Sequence, residues 1–162
     1  MEDRTIDFVF KALDIPWWYF ALALFIGLAV WRVWDKPSLG LFAGYSVLLL
    51  AETVLIRHPF TGNHFQPVLF WSWKAWDKQK NQILSNVIMF IPIGILTGRL
   101  WKWRGLLVAL GMSVTVELLQ MITQRGLCEF DDVADNVLGA LIGVVITLLV
   151  QRIAEQLSNT KR

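Results

Sequence analysis

Residues 133–151, Val-Ala-Asp-Asn-Val-Leu-Gly-Ala-Leu-Ile-Gly-Val-Val-Ile-Thr-Leu-Leu-Val-Gln, decide the reading of this chain. The stretch matches the ~20 apolar residues that carry an α-helix across a bilayer. Yet its first turn holds Asp135 and Asn136, with Asp132 just before them. Asp132, Asn136, Gly139 and Gly143 follow one helical stripe, so polar and glycine positions share a face. Ionisable groups in a membrane span are costly, and they mark a functional site unless paired or wetted.

Four more apolar runs precede it, at 17–34, 39–56, 83–101 and 104–123. The expected fold is therefore all-α: a polytopic membrane bundle of five transmembrane helices over 17–151. A short interfacial segment over 1–16 and a cytoplasmic tail over 152–162 complete it. Composition agrees, with 56% hydrophobic residues and only 17% charged, against roughly a quarter in soluble domains. A net charge of +2 argues against a nucleic-acid partner, and the single Cys128 excludes an intramolecular disulfide. Trp17, Trp18, Trp31, Trp34, Trp101 and Trp103 stand at span ends, as interfacial belts do. Trp71, Trp73 and Trp76 fall in the long loop 57–82, which is expected to lie against the membrane surface.

The loops suggest an orientation. Arg99, Lys102 and Arg104 flank the third turn without an acid, whereas Arg125 stands among Glu129, Asp131, Asp132 and Asp135. Positive loops stay in the cytoplasm, so the amino terminus is expected outside and the carboxyl terminus inside. Lys74, Lys78 and Lys80 in the long loop pull the other way. With that topology Glu52, Asn86, Glu117, Gln120, Asp135 and Asn136 all lie in the outer leaflet. Glu117 and Gln120 share a helix face. Gly40/Gly44, Gly94/Gly98 and Gly139/Gly143 are G-x-x-x-G pairs that allow close helix packing or dimerisation. Pro92 removes one helical hydrogen bond and predicts a kink beside Asn86.

Several blocks taken together resemble the VanZ-like family. Asn86-Val87-Ile88-Met89-Phe90-Ile91-Pro92-Ile93-Gly94 resembles its N-x-x-x-F-x-P-x-G segment, and Glu117-Leu118-Leu119-Gln120 its E-x-x-Q. Arg125 with the run Asp131 to Gly143 is similar to its acidic, glycine-spaced ending, allowing one residue of spacing. Asn63-His64-Phe65-Gln66-Pro67 loosely resembles its loop before the first block. The resemblance covers about residues 40–150. It implies a bacterial envelope membrane protein; the founding member lowers susceptibility to the lipoglycopeptide teicoplanin without the precursor swap used against vancomycin.

The candidate ligand-contacting set is Glu52, Arg57, Asn86, Glu117, Gln120, Arg125, Asp131, Asp132, Asp135 and Asn136. Arg125 is expected to hold an anionic group or to neutralise Glu117 or Asp132. Glu52 and Arg57 form a second candidate pair, and Asn86 and Asn136 are expected to bond between helices. Glu117, Asp132 and Asp135 are the candidate ligands should a divalent metal bind; no other cofactor is indicated. His58 and His64 offer a weaker metal or proton site. Ser85 and Ser113 have no histidine within a span, which argues against a serine hydrolase. The leading expectation is a non-enzymatic protein that binds or modulates a lipid-linked precursor or glycopeptide. The alternatives are a membrane transferase or hydrolase acting on a lipid-linked phosphate, and a scaffold or homodimer built on the glycine faces.

Overall fold

The computed structural model describes residues 15–59, 61–62 and 65–160. The interfacial segment expected over 1–16 falls almost wholly outside them, as do Asn63, His64 and the last two residues. The chain is mostly helical. Helix α1 spans Trp17–Trp34 and α2 spans Pro37–Leu50, which continues through one wide turn, Ala51–Leu55. A two-residue strand β1 (Phe65–Gln66) and a short helix α3 (Trp71–Lys74) lead into α4, Trp76–Trp101. Helix α5 (Gly105–Thr123), strand β2 (Cys128–Glu129) and α6 (Phe130–Thr160) complete the chain.

Four helical stretches are long and apolar enough to cross a membrane: Trp17–Trp34, Pro37–Leu55, Trp76–Thr123 and Phe130–Asn159. The third, of 48 residues, is broken where Lys102 adopts φ 53°, dividing α4 from α5. Trp17, Phe25, Val33, Leu41, Leu107, Ile122 and Val150 are all exposed. So much bare apolar surface is stable only against lipid. The chain is a multi-pass membrane protein.

The main boundary differences from the sequence expectation lie at the start of α4 and at both ends of α6, which runs on to Thr160 where the span was expected to end at 151. Helix α4 starts at Trp76, not 83, because Asp77-Lys78-Gln79-Lys80-Asn81-Gln82 forms a polar helical extension beyond the apolar run. Asn86 therefore lies well inside the helix and not in its first turn. Helix α6 begins at Phe130, not 133, which puts Asp131 and Asp132 in its first turn. Carboxylates there complement the unpaired N–H groups and positive end of the helix. Helix α4 runs through Pro92 without ending.

All three glycine pairs are used within the chain. Gly40 and Gly44 face α1, where a Cβ on Gly44 would come within 2.8 Å of the Ala23 carbonyl oxygen. Gly94, Gly139 and Gly143 bring α4 and α6 into backbone contact: a Cβ on Gly94 would overlap Ala140, and one on Gly139 would overlap Val87. Phe90 and Ile93 of α4 meet Ala109 of α5, Ala140 of α6 and Leu49 of α2 in the central core. Helix α1 packs on α2 at the edge of this bundle.

Candidate functional site

Helix α2 ends in a way that exposes its carbonyls. Its last turn is closed by Ile56 N donating to Ala51 O at 3.0 Å, a one-residue-wider ring than an α-helix makes. The Thr53 and Leu55 carbonyls are left without a helical donor. Gln120 Nε2 of α5 donates to Thr53 O at 3.0 Å, and Arg125 Nη1 donates to Leu55 O. Side chains from α5 and its following turn thus cap α2.

The same turn brings the chain back into the bundle. Gln124 adopts φ 54° and ends α5, after which Arg125 N donates to Gln120 O at 3.0 Å. Residues Cys128–Glu129 then pair in parallel with Phe65–Gln66, placing Phe65 beside Cys128 and Gln66 beside Glu129. Glu129 N donates to Glu117 Oε2 at 3.0 Å, so a buried carboxylate on α5 anchors the entry to α6.

Five carboxylates then stand together: Glu117, Glu129, Asp131, Asp132 and Asp135, all buried. A buried ion costs several kcal/mol unless it is paired or hydrogen-bonded. Here the donors come mainly from the aromatic loop. Phe70 N and Ser72 N donate to the two oxygens of Asp131, and Ser72 Oγ adds a bond of 2.7 Å. Trp71 Nε1 donates to Glu129 and Trp73 Nε1 to Asp135, each at 3.0 Å. Gln82 Nε2 reaches both oxygens of Asp132 at 3.0 and 3.1 Å, and Glu129 Oε1 at 3.4 Å. Phe70 turns the loop onto the acids with a left-handed φ of 61°.

One turn deeper, Asn136 Nδ2 donates to Ser113 Oγ at 2.9 Å. Asn86 is also buried, close enough to Asp132 to act on its charge. Asn86 Nδ2, Gln120 Oε1, Asp135 Oδ2 and Asn136 Oδ1 are buried without a hydrogen-bond partner.

The cation whose charge acts on Glu117 and Asp132 is Arg57, just past the end of α2. Arg125, expected to neutralise one of those acids, instead serves the Leu55 carbonyl. The reason is local: the widened turn of α2 offers an open acceptor directly beside the α5 turn. Glu52 lies in that widened turn and is half-buried. Outside the helices, burial and then the neighbouring Asp132 charge push the Glu129 carboxyl up to about 7. Burial likewise raises the Cys128 thiol, which keeps it unreactive. His58 is exposed, and its sequence partner His64 lies outside the described residues.

Trp71 and Trp73 do not simply rest against the membrane surface. Their indole N–H groups serve the acids, while Trp73 and Trp76 remain partly exposed with ring centroids 5.9 Å apart. Sequence reasoning passed over Thr53, Ser72 and Gln82, weighed Ser113 only as a nucleophile and counted Glu129 only as loop charge. A polar residue such as Gln82 opening an otherwise apolar run was the available signal.

Among the described residues, no three His, Cys, Asp or Glu side chains converge as a metal ion requires. Two open cavities lie away from the acids. One of about 470 Å³ is an apolar groove between α1 and α2, and one of about 300 Å³ lies beside Lys102, Trp103 and Arg152. Comparison with curated proteins and with solved structures finds no match. The sequence model described as VanZ/LLP1 matches residues 42–151, a range holding both the glycine-packed α4–α6 pair and every carboxylate of the cluster. The chain belongs to the VanZ-like family.

Proposed function

We propose that this is a five-pass protein of the bacterial cytoplasmic membrane that binds the polar head of an envelope amphiphile. The amino terminus lies outside and the carboxyl terminus in the cytoplasm, so the carboxylate end faces outward. The ligand is a lipid-linked cell-wall precursor or a lipoglycopeptide of the teicoplanin type, whose access the protein modulates. One observation carries the reading. Acids and amides from α4, α5, α6 and the aromatic loop join in one network at one end of an otherwise apolar bundle. Fold stability does not require such a network, since a buried ionic cluster is often no better than apolar packing. The apolar flanks of the helices would accommodate the lipid tail. Asp132, Asp135, Glu117 and Gln120 contact or shape the head group, with Arg57 balancing charge.

The test is teicoplanin susceptibility of a sensitive bacterium expressing the chain. The wild type should raise the inhibitory concentration, and Asp132→Asn should abolish that protection while membrane levels stay equal. Protection unchanged in Asp132→Asn would remove the cluster from the function. Metal bound stoichiometrically to the purified protein, and lost in the same variant, would favour a transferase or hydrolase instead.

A further inference from the structure

The donor and acceptor balance of the cluster identifies the chemistry of its ligand. Among the described residues, every hydrogen bond reaching the five carboxylates comes from a neutral group: indole, hydroxyl, amide or backbone N–H. Arg57 acts on two of the acids from the exposed end of α2. Even with Glu129 holding its proton to about pH 7, the other four carboxyls outnumber the one guanidinium acting on them among the described residues.

Among the buried amides Asn86 Nδ2 is a donor left over, and it lies toward Asp132, which can take it; the other unpartnered amide atoms are acceptors. Gln120 is only 3% exposed, and its orientation is settled because Nε2 must face the Thr53 carbonyl, leaving Oε1 without a donor. It shares a helix face with Glu117. Asp135 is 1% exposed, takes one indole N–H on Oδ1 and has none for Oδ2. Asn136 lies one turn beyond Asp132, bonded to Ser113 one turn from Glu117, so its unpartnered Oδ1 lies beneath the acid pair. Turning the Asn136 amide over would exchange acceptor for donor, so the weight rests on Gln120 and Asp135. Both lack N–H donors. A phosphate, which brings only acceptors and negative charge, is the wrong complement.

We propose that the cluster binds a primary ammonium group, seated among Glu117, Gln120, Asp132 and Asp135 beneath the Phe70–Lys74 strap. An ammonium offers three N–H donors and one positive charge, matching both deficits at once. A divalent cation fits less well, because the acids do not converge as metal ligands among the described residues. The neutral strap donors answer some of these oxygens and leave the charge unpaired. This inference rests on the proposed reading of the cluster as the ligand-contacting end. It narrows the ligand to an amine-bearing head group, carried either by a lipid or by a soluble amphiphile.

The experiment uses the full chain in phosphatidylcholine nanodiscs, following the thermal midpoint and tryptophan emission. Methylammonium should raise the midpoint. Tetramethylammonium, with equal charge but no N–H, should bind about tenfold more weakly or worse, the scale of one charge-assisted hydrogen bond. Replacing part of the phosphatidylcholine with phosphatidylethanolamine distinguishes the sources. A rise in midpoint there that abolishes further response to methylammonium assigns the site to a lipid head group. A response to methylammonium alone assigns it to a soluble amine. Asp135→Asn keeps an oxygen for Trp73 and turns the orphan acceptor into a donor, so it should lose the response. If that variant does not fold, Gln120→Lys, which tethers an ammonium at the same acceptors, must abolish it.

Equal responses to the two cations would overturn the proposal, as would a response to magnesium in their place. Indifference to every probe would mean that water alone fills the site, and would overturn it too. Amine binding with no teicoplanin phenotype would unseat only the proposed function. Protection that depends on Asp132 in a protein indifferent to amines would unseat only this inference.

Discussion

The two ends of the α4–α6 pair solve the same packing problem with opposite chemistry. Toward the middle and the Lys102 end, Gly94, Gly98, Gly139 and Gly143 let backbones touch, and Thr97 and Thr147 bond to nearby carbonyls. At the other end, five carboxylates keep the helices joined through indoles, amides and a backbone N–H. The first arrangement uses shape, which lipid cannot supply. The second uses ions that lipid cannot tolerate unless they are satisfied. Rigidity is the business of the glycine end, and the proposed function gives recognition to the acid end.

The largest effect should follow from filling the glycine interface. Gly94→Leu places a side chain against the backbone of Ala140 and should abolish folding, beyond the ~1–3 kcal/mol usual for overpacking. Loss of a monodisperse peak on size exclusion in detergent would show it. A folded Gly94→Leu protein would break the claim that close backbone packing holds this end.

At the acid end, Asp131→Ala removes the acceptor for Phe70 N, Ser72 N and Ser72 Oγ. The cost should be about 1–3 kcal/mol, the scale of stranding buried donors. The strap should also become open to protease, and mapped cleavage within residues 65–75 is the measurement. A lower melting point with the strap still protected would mean that Asp131 serves the helix and not the loop.

Next comes a pH effect. Glu129 keeps its proton to about pH 7 when folded, against 4.5 as the ordinary value. The folded state therefore binds more protons between those limits. Glu129 contributes its full share of stability at or below about pH 4.5, and that share is lost as pH rises through about 7. Thermal midpoints at about pH 5 and about pH 8 should differ less in Glu129→Gln than in the wild type. An unchanged difference would locate the titration elsewhere in the cluster.

The smallest effect is the control. A Cβ on Gly111 meets nothing within 4 Å, so Gly111→Ala should be neutral or stabilising by at most about 1 kcal/mol. Destabilisation there would show that the outer face of α5 is covered by something in the membrane.

Much of this architecture was open to reading from residue order. Long apolar runs report the helices because a bilayer offers backbone polar groups no partner, and α1 coincides with its apolar run over Trp17–Trp34. The glycine pairs announced close packing, and the blocks around Asn86, Glu117 and Asp131–Gly143 announced the family. The polar start of α4 was harder to see. Apolar periodicity ends at residue 83, while the helix continues to Trp76 through mostly exposed polar residues, of which Gln82 bonds the acids.

Which donor meets which acid was settled only by tertiary structure. Arg125 and Arg57 both lie near acids in the sequence pattern. A single widened turn at Ala51–Leu55 exposes the Leu55 carbonyl and draws Arg125 to it, while the charge that acts on Glu117 and Asp132 is that of Arg57. Likewise the indoles of Trp71 and Trp73 read as membrane anchors until the left-handed Phe70 and the Phe65–Cys128 pairing lay them on α6. Hydropathy is summed along the chain, so residue order determines which segments enter the bilayer. Hydrogen-bond partners are selected by direction across it, through backbone turns of one residue that leave no mark on composition.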